Sequence, residues 1–123
     1  MTLARRLQQL AAATGESYVP DHEPSWWLRT KLVDLHTRGR AGQIGTCPHL
    51  RPGATAYAAL WTPDRAVCAA CVPTLKVTGD ADRTCDRCGT VAAGVHPIMV
   101  AATATLLVSF GLCRPCYIRE MGR

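Results

Sequence analysis

"TCDRCGT", residues 84–90, sets two cysteines two residues apart and follows the second with a glycine. At this spacing Cys85 and Cys88 turn their sulfurs toward one point. Gly89 tolerates the tight turn that aims backbone N–H groups at sulfur. Downstream, "LCRPCYIREMG" (112–122) repeats the spacing with Cys113 and Cys116, leaving 24 residues between the two pairs. Two such pairs about 15–25 residues apart are a strong zinc signal, because a hairpin between them closes a tetrahedron of thiolates.

The segment between the pairs suits a hairpin. Ile98, Val100 and Ala102, then Leu106, Val108 and Phe110, alternate on either side of a bend near Thr103–Thr105. After Cys116, "YIREMGR" reads as a short helix. A knuckle, a hairpin and a second pair at the start of a helix resemble the zinc-ribbon and treble-clef families over roughly residues 84–121. The resemblance implies a fold and a metal rather than a role.

Upstream, the chain repeats this plan with different residues. Cys68 and Cys71 ("AVCAACVP") need two further ligands, and "GTCPHL" (45–50) offers the only free donor pair a hairpin's length before them. Cys47 and His49 are therefore expected to complete a site of three cysteines and one histidine. Pro48 stiffens their turn but lacks an N–H that could point at sulfur. Between the pairs, Tyr57, Ala59 and Trp61 alternate, and "TPDR" (62–65) is expected to form the hairpin turn, with proline at its second position. "VPTLKV" follows as a helical turn. His96, His22 and His36 are expected not to be ligands. Because 13 residues separate Cys71 from Cys85, sequential pairing, as in LIM-like tandem modules, is expected over a cross-brace.

The N-terminal third carries no cysteine. Residues 1–14 read as an amphipathic helix along Leu3, Leu7, Leu10 and Ala11, and 15–24 as a connector. Ser25 is the expected N-cap of a second helix that runs to about Arg38, where "RGRAG" ends it. On it Leu28, Leu32 and Leu35 form one stripe, while Trp26 and Val33 lie nearly opposite. Such a helix is packed between two layers or offers one face to a partner, and two internal faces are expected. The expected architecture is a small zinc-stabilised α+β protein. It comprises an N-terminal helical segment (1–46), a first zinc module (47–79) and a second (80–123), each zinc-ribbon or treble-clef-like, holding two Zn2+ in all.

Charge and composition narrow the role. The formal charge of +5 counts cysteine as neutral. Seven thiolates remove seven charges and two Zn2+ return four, leaving a loaded chain near +2, so an extended phosphate track is not expected. The bias to Arg (12, against 2 Lys) and the 18 alanines fit a GC-rich bacterial genome as readily as a selected function. Ile98–Leu112 is too short for a membrane span, which needs about 20 apolar residues. No export signal is evident, and a reducing, cytoplasmic setting favours metal over disulfides.

Enzymatic readings lack support. Four donors per ion close both shells, the H-x-E and P-C-x-x-C pattern of zinc deaminases is missing, and "CRPC" stands outside any alternation of strands and helices. The expectation is a non-enzymatic, transcription-associated regulator whose partner is nucleic acid or a protein of the transcription machinery. Its contacts would come from Trp26, Trp27, Arg29, Lys31, Arg38, Arg40 and Arg51, since guanidinium groups neutralise phosphates and indoles stack on bases. The alternative is a protein–protein adaptor or inhibitor scaffolded by zinc, with a redox-responsive variant that releases the metal on oxidation.

Overall fold

A computed structural model describes residues 17–18 and 24–121. The expected helix over 1–14 lies outside the described residues. Six strands form a single mixed sheet: β1 (Ser17–Tyr18), β2 (Gly45–Thr46), β3 (Ala56–Ala59), β4 (Thr62–Val67), β5 (His96–Thr103) and β6 (Leu106–Leu112), in the order β1-β5-β6-β3-β4-β2. Among the described residues two helices accompany it, α1 (Trp26–Arg40) and α2 (Arg114–Met121), with 3-10 turns at Ala69–Leu75 and Gly79–Arg83. Among the described residues no helix is long and apolar enough to cross a membrane.

Helix α1 begins as the sequence indicates. Ser25 is extended, and its Oγ accepts the Leu28 N–H at 3.2 Å, satisfying one of the orphan donors of the first turn. Arg38 and Arg40 lie in the last turn, where cations favour the negative end of the dipole. Gly42, at φ +71°, follows the C-cap. Leu28 and Leu35 are buried, each contributing about 1.5–3 kcal/mol. The opposite stripe is not internal: Trp26 is 80% exposed and Val33 59%, correcting the expectation of two covered faces. The leucine side of α1 is the one that meets the sheet.

The first hairpin also departs from expectation. Its turn is Leu60–Trp61, and "TPDR" lies within β4. The β3–β4 register passes from Ala58↔Ala66 to Ala59↔Thr62, so Pro63, Asp64 and Arg65 fall in an irregularity of the ladder. A residue without an N–H is tolerated at such a break. The second hairpin turns at Ala104–Thr105, within the expected bend.

The two hairpins join edge to edge. β3 runs parallel to β6, pairing Ala56 with Leu106 through Ala59 with Ser109. Alternation then sends side chains to two faces. Ile98, Val100, Val108, Phe110 and Leu112 pack with Leu28 and Leu35 of α1 and with Cys85, Cys113 and Cys116. Tyr57, Ala59, Val67, Met99 and Leu107 pack with Leu75, and Cys47, Cys71 and Trp61 adjoin that second cluster. Each face thus carries one cysteine cluster.

Candidate metal centres

Each cluster is assembled by the same local devices. In the second, the knuckle is closed by Gly89 N–H donating to the Cys85 carbonyl and Cys85 N–H to the Thr90 carbonyl, both at 2.9 Å. Gly89 stands at φ +77°, a conformation that costs other residues energy. Strand β6 delivers Cys113, and α2 places Cys116 in its first turn, with Tyr117 N–H donating to the Cys113 carbonyl at 2.8 Å. In the first cluster, β2 leads to Cys47 and His49, β4 to Cys68, and the 3-10 turn to Cys71. The N–H that Pro48 lacks is supplied from across the site: Cys68 N–H donates to Cys47 Sγ at 3.2 Å.

Within each cluster the four donor atoms lie within 4.8 Å of one another. The pairing is sequential: Cys47, His49, Cys68 and Cys71 in one, Cys85, Cys88, Cys113 and Cys116 in the other. Tetrahedral zinc with Zn–S near 2.3 Å and Zn–N near 2.0–2.1 Å implies S···S edges of about 3.8 Å and N···S edges of about 3.6 Å. Cys88 Sγ and Cys113 Sγ are 3.7 Å apart, and Cys71 Sγ and His49 Nδ1 3.3 Å apart. All seven cysteines are free thiols. The donor chemistry, number and spacing are consistent with two zinc ions, His49 contributing Nδ1. When bound, zinc supplies a structural cross-link between the knuckle and the end of its hairpin.

The surroundings prepare some sulfurs as thiolates. The Cys68 backbone N–H pulls the Cys47 thiol down to about 6. The Thr90 hydroxyl, 3.2 Å from Cys88 Sγ, does most to bring Cys88 to about 6. Their neighbours hold their protons: hydrogen bonding with Cys68 pushes Cys71 up to about 11, and burial pushes Cys116 up to about 12. Asp86, inside the second knuckle, is pushed up to about 6 by burial, against the Gly111 N–H that it accepts at 2.7 Å and the charge of Lys31.

The candidate partner-binding residues divide. Trp26, Arg29 and Arg40 are exposed and share one side of α1 at its 100° period, together with Val33 and His36. Lys31 is exposed on another flank, and Arg38 is tied to Asp34 at 2.9 Å. Arg51 is exposed in the loop after His49. Trp27 turns inward: its ring meets Phe110 edge-on at 5.9 Å, and the Arg87 guanidinium lies 5.6 Å above it. Of the histidines expected not to be ligands, His96 stacks on Tyr117 at 4.4 Å and His36 is exposed, while His22 lies outside the described residues.

Sequence reasoning missed Asp86, Arg87, Thr90 and Glu120. Glu120, on α2, is fully buried and 3.9 Å from Arg87 Nη1. Its only sequence signal is negative, a charge with no helical reason to face inward.

Models of protein families, curated protein sequences and solved structures were compared with the chain, and none matched. The class therefore rests on the sites themselves: two Cys/His clusters built for zinc on opposite faces of one sheet.

Proposed function

We propose that this chain is a non-enzymatic zinc-binding regulatory protein of the cytoplasm, associated with transcription, that binds nucleic acid through the outer face of α1. The observation that carries this reading is the open strip of Trp26, Arg29 and Arg40. The only acidic residue of α1, Asp34, is engaged by Arg38. Guanidinium groups on such a strip neutralise phosphates, and an indole at its end stacks on an unpaired base. The zinc-ribbon or treble-clef reading of the modules is supported by the order knuckle, hairpin, second ligand pair at a helical start, met twice. Closed four-donor shells support a structural rather than catalytic metal. Lys31 and Arg51 are outlying contributors, whereas Trp27 packs inward on Phe110 and the half-exposed Arg38 is paired with Asp34.

Fluorescence anisotropy with labelled single- and double-stranded oligonucleotides, at about 50 and 200 mM salt, tests the proposal. Two to four phosphate contacts give a slope of log affinity against log salt of about −2 to −4. Arg29→Ala with Arg40→Ala should flatten it. No binding at low salt would overturn it.

A second reading has its own observation. Val33 is exposed beside Trp26, and an apolar pair on a helix favours a protein groove, as an adaptor or inhibitor would use. Salt-insensitive binding to a protein partner, lost on Val33→Asp, would favour it.

A further inference from the structure

Two of the side chains that meet the first turn of α1, Arg87 and Glu120, come from segments that carry ligands of the Cys85/Cys88/Cys113/Cys116 site. Arg87 sits between Cys85 and Cys88 in the knuckle. Its guanidinium covers the Trp27 ring at 5.6 Å and faces the Glu120 carboxylate at 3.9 Å. Glu120 lies one helical turn beyond Cys116 on α2, and its Oε1 accepts the Ser25 backbone N–H at 3.3 Å. Ser25 in turn caps α1 through Leu28 N–H. The cluster formed by α1 and the sheet includes Cys85, Cys113 and Cys116 and none of the first site's cysteines.

We propose that Arg87 and Glu120 are positioning residues that make the seating of α1 depend on metal at the four-cysteine site and not at the mixed Cys/His site, so that zinc at one site regulates the α1 surface. The physical basis is local. A carboxylate with no solvent exposure requires positive charge beside it, and among the described residues Arg87 faces it. Metal fixes Cys85 and Cys88 to Cys113 and Cys116, and therefore fixes Arg87 relative to Glu120. Without it the knuckle and α2 lose their cross-link, and the guanidinium loses its fixed seat between Trp27 and the carboxylate. Metal that favours the seated state must, by linkage, be favoured by it. The regulatory meaning rests on the α1 reading above, but the seating itself does not.

Amide hydrogen exchange of the full zinc-loaded chain tests the link without nucleic acid, with zinc content measured in parallel. Cys88→Ser, which removes an exposed ligand of the four-cysteine site, should speed exchange across α1 by at least about tenfold, while Cys71→Ser should lose one ion and leave α1 unchanged. Arg87→Met should retain both ions and still speed α1 exchange, and Arg87→Lys should recover part of the protection. Glu120→Gln keeps an acceptor for Ser25 and removes the charge, so it reads the same link should Arg87→Met fold poorly. In that background, removing Arg87 should add little. Unchanged α1 protection in Arg87→Met or Glu120→Gln, or equal loss of protection in Cys71→Ser and Cys88→Ser, overturns the proposal. Should oligonucleotide binding be absent while Arg87→Met frees α1, the functional reading fails and this inference stands.

Discussion

Leu107 and Val108 are neighbours in β6, yet each packs toward a different metal centre. Leu107 belongs to the cluster that Cys47 and Cys71 adjoin, and Val108 to the cluster containing Cys85, Cys113 and Cys116. One strand therefore backs both sites, through the alternation of side chains that every strand imposes.

That relationship separates two core variants. Leu107→Ala should cost about 2–5 kcal/mol and weaken zinc retention chiefly at the mixed Cys/His site. Phe110→Ala should cost about 3–5 kcal/mol, weaken chiefly the four-cysteine site and remove the edge contact of Trp27. Denaturant unfolding of the loaded protein gives the energies, and a chelator challenge with competing indicator dye gives the site order.

His49→Ala should lower affinity at one site by at least about tenfold and leave the other unchanged. Nδ1 is one of four donors in the first cluster, and the remaining three thiolates leave a position for water. Competitive zinc titration checks this. Two ions held as tightly as in the wild type would remove His49 from the ligand set.

Zinc uptake should release protons, with a sign set by the thiols. At pH 7 Cys71 (about 11) and Cys116 (about 12) hold their protons, whereas Cys47 and Cys88 (about 6) are largely thiolates. Each ion must therefore displace at least one proton, and apparent affinity rises with pH by about tenfold per unit for each proton displaced. Below about pH 6 Cys47 and Cys88 are protonated as well, so the dependence steepens toward acid. Calorimetry in buffers of different ionisation enthalpy counts the protons.

Gly111→Ala should destabilise the protein by about 1–3 kcal/mol. A Cβ there would lie 2.9 Å from Val95 Cγ2 and 3.3 Å from Val95 Cβ, in a strand that also gives its N–H to Asp86. Val95→Ala removes the nearer obstacle and should recover part of the loss. Thermal unfolding of the single variants and the double variant reads the coupling.

The ligands were legible because their spacing is local. C-x2-C is written in four consecutive residues, and the odd pair Cys47/His49 follows once the hairpin lengths are matched. The shared sheet was not legible, since alternation says which residues share a face but not which strand is the neighbour. Ala56 pairs with Leu106 across 50 residues of chain. "TPDR" carries the turn residues that Leu60–Trp61 lacks, yet the ladder of β3 with β6 and β4 places the reversal earlier. Helical periodicity put Trp26 opposite the leucines correctly, but whether a second layer covers it depends on tertiary packing. Arg87, partly exposed, and Glu120, fully buried, meet across two elements, and no local pattern announces such a pair.

Everything else depends on two zinc centres with eight protein ligands. Native mass spectrometry of the protein purified without chelator, compared with the denatured mass, measures them directly. Two zinc ions per chain with all seven cysteines reduced, falling to one in His49→Ala with Cys71→Ser, is the expected result. A single ion in the wild type, or a chain carrying disulfides in place of metal, would contradict it.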